Sequence, residues 1–339
     1  MSQEHPITPA KNSLTIRPTN GLVSLPEGGS PALSEIISRS LVRIQASRAL
    51  ATRHRIGEHE LCGPDYGLVC AFAEDLRLPP EEVLKRLLLL KSGYLFPDTR
   101  IEDGRFKELL VDRETLPISS IPFIEGLVVE RLFLRLQETP SGLDLSMFPN
   151  LTVLYCGWNP LTELDLSQVP NLTVLWCGEN QLTELDLSQV PNLTKLECEG
   201  NQLTELDLSQ VSNLTKLDCD RNQLTELDLS QVPNLTELYC WENPLTELDL
   251  SQAPNLTVLS CGCNQLTELD LSQVPNLTVL YCDGNQLTEL DLSQVPNLTE
   301  LYCDWNPLTE LDISNLQNLN SLSYDEGKTR LIQRPDQNF

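Results

Sequence analysis

Positive charge is scarce in half of this 339-residue chain. Between residues 151 and 318 there are only three basic side chains, Lys195, Lys216 and Arg221, against 26 acidic ones. A segment so short of Lys and Arg cannot neutralise phosphates, which excludes nucleic acid and anionic lipid as its partners. The other parts are nearly balanced, so almost all of the net charge of -26 sits in this half, and its partners are expected to be basic or neutral. Long apolar runs are absent too: no stretch of about 18 apolar residues occurs, so no membrane insertion is expected. The N-terminal MSQEHPITPAKNSLTIRPTNG lacks the apolar core of a secretory signal. The chain therefore reads as cytoplasmic, with export by a route that uses no cleavable signal peptide as the alternative. Its 11 cysteines are an odd number, and without a signal peptide they read as thiols in a reducing compartment.

What is abundant is a repeat. From Leu151 the unit LTVLYCGWNPLTELDLSQVPN returns every 21 residues, opening at Leu151, Leu172, Leu193, Leu214, Leu235, Leu256, Leu277 and Leu298. Numbering each unit from its opening Leu, apolar residues recur at positions 1, 4, 6, 11, 14 and 16, with Asn at position 9. Six inward side chains in 21 residues cannot close a core, but stacked coils bury them against one another, which predicts a solenoid. Positions 3 to 8 alternate with the period of a strand, Leu154 and Cys156 inward and Val153, Tyr155 and Gly157 outward. Each unit thus adds a short strand to a parallel sheet, and the Asn at position 9 is expected to form a ladder that bonds backbone groups left unpaired by the turn. Pro at position 20 in all but two units leaves no room for a helix, so the outer face is expected to be extended or 3-10.

The pattern LxxLxCxxNxLTxLDLSxxPN resembles the leucine-rich repeat family, and within it the 21-residue internalin J-like class in which Cys replaces a strand Leu. The resemblance covers about residues 128–325. It implies a curved right-handed solenoid whose concave strand face binds a protein partner.

Eight copies can be compared with one another. Variation concentrates at positions 3, 5, 7 and 8, the outward strand residues and those just after them. All four Trp lie in these columns, although an exposed Trp adds nothing to a fold and is a residue type that dominates binding hot spots. The candidate partner-binding face has three zones. Tyr155, Trp158 and Trp176 form a first aromatic group; Lys195, Glu197, Glu199, Lys216, Asp218, Asp220 and Arg221 form a charged belt; Tyr239, Trp241, Tyr281, Tyr302 and Trp305 form a second aromatic group. Such a face suits a protein or peptide with apolar anchors flanking a basic segment.

Glu at position 13 and Asp at position 15 are invariant, from Glu163 and Asp165 to Glu310 and Asp312. The row reads as a solubilising face rather than a Ca²⁺ site, because Ca²⁺ needs six to eight oxygens around one point. The Cys column, Cys156 to Cys303, reads as buried structural thiols, with parallel side chains unsuited to disulfides and no tetrahedral set for a metal. Cys263, at position 8, is the exception and is expected to be exposed. No metal and no cofactor are expected.

Residues 1–29 read as disordered and 30–127 as an α-helical N-terminal region. Helices are expected after Ser30-Pro31, over Tyr66 to Leu76, and from Pro79-Pro80 to near Gly93. The solenoid is assigned to 128–325, with an N-cap at 128–150 opened by a strand in ERLFLRL, units over 151–318 and a C-terminal cap at 319–325. Residues 326–339 read as a tail. His54, His59, Cys62 and Asp65 hold the only grouping of nucleophile and base types, a weak motif. The sequence therefore points to a non-enzymatic protein- or peptide-binding solenoid. The alternatives are an exported bacterial effector with a cysteine-dependent activity in the N-terminal region and a scaffold with no specific ligand.

Overall fold

The computed structural model describes residues 53–56, 58–89, 99–102, 105–112, 128–135 and 143–337. By its contacts the chain divides into Met1–Arg48 and Ala49–Phe339, and the second unit is described below. The assignments for residues 1–29 and for a helix after Ser30 lie outside the described residues.

The N-terminal part is mixed rather than purely helical. It opens with a hairpin of β1 (Arg53–Ile56) and β2 (His59–Cys62), followed by α1 (Gly63–Leu76) and α2 (Pro80–Leu89). The two helices fall where apolar spacing and the Pro79-Pro80 start placed them. Between α2 and the repeats, however, lie β3 (Arg100–Glu102) and β4 (Arg105–Asp112), within the span read as helical. Lys107, Glu108, Leu109 and Leu110 are strong helix formers. Their strand state comes from pairing in parallel with β5 (Arg131–Arg135), Leu109 opposite Leu132 and Leu110 opposite Phe133, so a tertiary contact overrides local preference. The solenoid sheet therefore starts well before residue 128.

Each unit then contributes three strand residues at positions 3 to 5: β6 (Val153–Tyr155), β7 (Val174–Trp176), β8 (Lys195–Glu197), β9 (Lys216–Asp218), β10 (Glu237–Tyr239), β11 (Val258–Ser260), β12 (Val279–Tyr281) and β13 (Glu300–Tyr302). Neighbours pair in parallel one unit apart, Leu154 opposite Leu175 and Leu175 opposite Leu196. After β14 (Glu310–Asp312) comes β15 (Ser321–Ser323), which closes a 12-stranded sheet that begins at β3. All of its pairings are parallel except β3 with β4. The stretch read as a tail carries β16 (Arg330–Ile332), which pairs with β14 on the opposite side of the solenoid. There Arg330 meets Glu310 at 3.0 Å, and Gln337 donates to the carbonyls of Ile313 and Leu316. The outer face is extended, with tight turns such as Val169 N to Leu166 O and Leu172 N to Val169 O, and the described residues contain no 3-10 helix.

Burial follows the repeat. In the second unit Leu172, Leu175, Cys177, Leu182 and Leu187 are 2% exposed or less, and Leu185 is 8% exposed. Position 19 joins them, fully buried at Val169, Val190 and Val211, which makes seven core side chains per coil rather than six. Packing sets the register, since a one-residue slip would turn the buried Leu and Cys outward, and hydrogen bonds reinforce it. Asn180 donates through Nδ2 to Cys177 O at 2.8 Å in its own coil and to Cys156 O at 3.0 Å in the preceding one. Its Oδ1 accepts Leu161 N from that preceding coil at 3.1 Å. The same arrangement returns at Asn201, Asn222, Asn243, Asn264, Asn285 and Asn306. A second ladder runs through position 2, where Thr173 Oγ1 donates to Thr152 O at 2.9 Å and each later Thr does likewise.

The thiols of the Cys column are free and buried. Burial pushes Cys156, Cys261 and Cys303 up to about 12, so at neutral pH they are protonated and unreactive. Cys263 alone is exposed. A thiol reagent under native conditions is expected to modify Cys263 first, with Cys263→Ser removing the fast phase; fast reaction of the column thiols would contradict this packing. Asn222→Ala, which strands Leu203 N and removes one of the two Asn donors to each of the Cys198 and Cys219 carbonyls, is expected to cost about 1 to 3 kcal/mol in denaturant unfolding. Asn213→Ala, whose bond to Pro191 O is solvent-exposed, should cost under about 0.5 kcal/mol.

Candidate functional site

Strand alternation sends positions 3, 5 and 7 out of the sheet, so residues 21 apart in sequence stand side by side. Along position 5 the cross-strand register runs Leu110, Phe133, Tyr155, Trp176, Glu197, Asp218, Tyr239, Ser260, Tyr281, Tyr302 and Ser323. The first aromatic group is thus longer than the repeat alone reveals. Phe133 stacks on Tyr155 at 4.7 Å between centroids, and Tyr155 meets Trp176 edge-on at 5.7 Å. Leu110 and Phe133 are themselves buried. The sequence signal for Phe133 was available in the alternation of Leu132, Phe133 and Leu134.

Trp158 and Trp305 are arranged differently. They stand at position 8, 51% and 74% exposed, where all eight units hold a left-handed backbone. Only Gly200 and Gly284 supply the residue that this conformation favours; the others are Trp158, Glu179, Arg221, Glu242, Cys263 and Trp305. A bulky side chain there costs on the order of 1 kcal/mol or more. Trp305 accepts that strain with little burial to offset it.

The charged belt is an interlocked set. Lys216 Nζ bonds Glu197 at 2.6 Å and lies 5.5 Å from the Tyr239 ring centroid. Arg221 pairs with Glu179, an acid that the sequence reading had not placed in the site. Trp176 Nε1 donates to Glu199 Oε1 at 2.7 Å, tying the first aromatic group to the belt. Trp241 N donates to Asp220 Oδ1 at 2.6 Å, and Asp220 N to Asp218 Oδ1 at 3.2 Å. Room for Glu199 comes from Gly178: a Cβ there would lie 2.2 Å from its carboxylate. Lys195 is exposed at the edge of the belt.

Lys216 and Arg221 are paired with Glu197 and Glu179; Glu199, Asp218 and Asp220 lie close together and form no salt bridge among the described residues, with Lys216 and Arg221 still favouring the charge of Asp218, and Arg221 that of Asp220. Glu199 Oε2 is buried with no hydrogen-bond partner. Burial is the main force pushing Glu199 and Asp220 up to about 7, with the Asp218 charge adding to it. Asp218 is raised too, again chiefly by burial.

The second aromatic group separates into parts. Tyr281 and Tyr302 stack at 4.8 Å, with Tyr281 OH donating to Glu300 Oε2 at 2.6 Å and Ser321 Oγ donating to Tyr302 OH. Tyr239 and Trp241 lie nearer the belt, with Ser260 and Gly262 as a low step between the two parts. Gly262 is needed at that step, since a Cβ would come within 2.8 Å of the Trp241 ring.

The opposite face contrasts with this one. A groove of about 2430 Å³ runs along it, lined by the Glu, Leu and Asp of positions 13 to 15 in every unit. Its Asp residues are fully exposed or nearly so and are held below the usual carboxylate range by the next serine but one. At Asp165 and Asp186 the serine hydroxyl contributes most and the backbone N–H next; at Asp207, Asp228 and Asp249 the order is reversed. Among the described residues no three His, Cys, Asp or Glu are grouped to hold a metal ion. Along this groove the units present the same Glu and Asp at positions 13 and 15. The strand face is where most of the variation from coil to coil falls.

In the N-terminal part, Asp65 is fully buried and accepts Arg105 Nε and Phe106 N, both at 2.8 Å, which ties α1 to β4. Cys62 is 3% exposed, and His54 stacks on Tyr66. Of the residue types grouped as nucleophile and base, Asp65 and Cys62 are buried, His54 is half-buried against Tyr66 and His59 is exposed. No helix among the described residues is long and apolar enough to cross a membrane.

With stacked 21-residue coils, an Asn ladder and a buried Cys column in place, this is a leucine-rich repeat solenoid, a fold typical of protein-binding modules. The family model described as Leucine Rich repeats (2 copies) matches residues 149–189 and 233–273, and that described as Leucine Rich Repeat matches 297–319. Its class is the cysteine-ladder one: the chain is similar to the functional domain of InlJ from Listeria monocytogenes, which includes a cysteine ladder, at 38% identity and a TM-score of 0.54. That likeness covers 64% of this chain and 53% of that one. A leucine-rich repeat protein of Leptospira interrogans is 26% identical, with a TM-score of 0.50, over 61% of this chain and 62% of that one. YopM from Yersinia enterocolitica WA-314 is 27% identical, with a TM-score of 0.50, over 69% of this chain and 54% of that one. The chain thus spans less than two thirds of each. No curated protein matches it.

A carboxyl raised in the folded state favours folding while protonated and loses that contribution as pH rises through its folded value. The Tm is therefore expected to fall between pH 5 and pH 8, and Glu199→Gln to reduce that fall; an unchanged slope would contradict the burial described for Glu199. The exposed Asp row acts oppositely, its contribution being lost in acid below the usual carboxylate range. Trp305→Gly, which relieves left-handed strain and removes little packing, is expected to leave Tm unchanged or raised.

Proposed function

We propose that the chain is a non-enzymatic module that captures a protein or peptide on its strand face. The observation that supports this most is the placement of large aromatics where the fold gains least from them. Trp158 and Trp305 hold strained, exposed positions, while Trp176 and Trp241 stand half-buried over glycine steps. Neutral drift at exposed sites favours small polar residues, and Gly200 and Gly284 show what position 8 accepts without strain. Half-buried Trp and Tyr beside satisfied polar groups match the anatomy of a binding hot spot.

The residues assigned to contact are Tyr155, Trp158, Trp176, Tyr239, Trp241, Tyr281, Tyr302 and Trp305, with the belt from Lys195 to Arg221 between them. The partner carries apolar or aromatic anchors on either side of a basic stretch, and neither nucleic acid nor membrane is part of the reading. Free thiols along the whole Cys column favour a reducing compartment as the place of encounter.

The test compares proteins retained from native lysate by the immobilised chain and by Trp176→Ala/Tyr239→Ala/Trp241→Ala. The variant is expected to lose the specifically retained species while its Tm changes by only a few degrees. Retention by a folded triple variant would overturn the assignment. Cys62→Ala, by contrast, is expected to leave retention as it was.

A further inference from the structure

Position 10 holds a backbone bond that the repeat does not always make. Gln181 N donates to Leu161 O of the preceding coil at 2.9 Å, and Gln202, Gln223, Gln265 and Gln286 donate likewise to Leu182, Leu203, Leu245 and Leu266 at 2.8 Å. Pro160, Pro244 and Pro307 stand at the same position and have no N–H to offer. Leu224 O and Leu287 O, the carbonyls that Pro244 and Pro307 would meet, accept no hydrogen bond from the described residues, although both leucines are fully buried. A buried carbonyl without a donor weakens the contact between its coil and the next. The carbonyl that Pro160 would meet lies outside the described residues.

The junction between the fourth and fifth coils is weakened a second time. Position 19 is a fully buried Val in six coils, and in the fifth it is Ala253, so the core there lacks the two methyl groups that Val supplies. Pro307 makes a lesser joint, because Val295 and Leu316 fill position 19 on either side of it. On the strand side the junction is pinned. Cys219 N donates to Tyr239 O and Arg221 N to Trp241 O, both at 2.8 Å, and Asp220 Oδ1 accepts Trp241 N at 2.6 Å. Lys216 also reaches across it, 5.5 Å from the Tyr239 ring centroid. One side of the junction is thus held and the far side loosened, which is the geometry of a hinge.

We propose that the solenoid bends at this junction: the coils from the fifth onward swing as a block against those before them, the far side parting while the strand side holds. In a linear stack each coil contacts only its neighbours, so the array opens first at its weakest junction. Parting on the far side tilts the two halves of the strand face toward each other. Trp176 lies in one half and the stacked Tyr281 and Tyr302 in the other, so the bend sets the span between the two aromatic groups. The prolines fall in the three coils that carry a tryptophan just after the strand, Trp158, Trp241 and Trp305, and the junction therefore sits beside one of the largest side chains of the face. The bend is a property of the chain alone and does not depend on what the face binds.

The test is amide hydrogen exchange at residue resolution on the full chain under native conditions. Leu182, Leu203, Leu224, Leu266 and Leu287 all stand in the sequence Asn-Gln-Leu-Thr-Glu and all donate to the Asn of the next coil, so their amides share one intrinsic exchange rate. Leu224 is expected to exchange about tenfold faster than Leu182, Leu203 and Leu266, the factor that one missing buried bond corresponds to. Cys219 N, on the strand side of the same junction, should stay as slow as Cys198 N. Pro244→Gln, which installs the residue that five other coils carry there, should slow Leu224 to the rate of the others. Pro244→Gln/Gln202→Pro should transfer the fast exchange to Leu182. Equal rates at Leu224 and Leu203, a fast Leu224 that survives Pro244→Gln, or equally fast exchange at Cys219 would overturn the proposal. The wild-type and Pro244→Gln measurements decide it whether or not the double variant folds.

Discussion

No coil of this protein can bury its own apolar side chains or satisfy its own turn. The amide of Leu161 is answered by Asn180 of the next coil, and the carbonyl of Cys156 is shared between Asn159 and Asn180. Each Asn therefore works for two coils, and the solenoid holds at one register, a shift of 21 residues. Everything else follows from that lock. It places Leu on Leu and Cys on Cys in the core, and it sets side by side outward residues that are distant in sequence.

The repeat was legible because its core positions are constrained by the stack, so eight copies within one chain display what is fixed and what is free. The Asn ladder and the inward Cys column were readable in this way. The Thr ladder was not, because an invariant Thr at a half-exposed position reads as a surface residue until its Oγ1 is seen to meet the preceding coil. Position 8 held an unread cue: Gly200 and Gly284 in a column with Trp, Glu and Arg mark a left-handed backbone. β4 and β16 were missed for a different reason. Neither belongs to the repeat, and both become strands only by pairing with a neighbour, β5 for the one and β14 for the other.

Within the candidate site the residue types were legible and their couplings were not. Nothing in the repeat pattern pointed to Glu179 engaging Arg221 or to Trp176 holding Glu199, whereas the alternation of Leu132, Phe133 and Leu134 did mark Phe133 as an outward residue. The Trp176–Glu199 contact uses the room left by Gly157 and Gly178, and the Glu179 carboxylate lies beside Gly200. They also divide the acidity of the chain into two kinds. The Glu and Asp rows on the outer face are exposed and uniform, and the Asp carboxyls are held below the usual range by the serines that follow them. At the centre of the strand face Glu199, Asp218 and Asp220 are half-buried and close-set, and burial pushes all three up, Glu199 and Asp220 to about 7.

The central claim is that the outward strand columns carry recognition while the repeat supplies only the frame. It is tested most directly by transplanting the residues at positions 3, 5, 7 and 8 of all eight units onto an otherwise uniform array of the same 21-residue repeat. The measurement is the affinity of that array for the partner retained by the natural chain. The account predicts binding within about tenfold of the natural chain, a difference of about 1.4 kcal/mol. An array that folds and does not bind would contradict it.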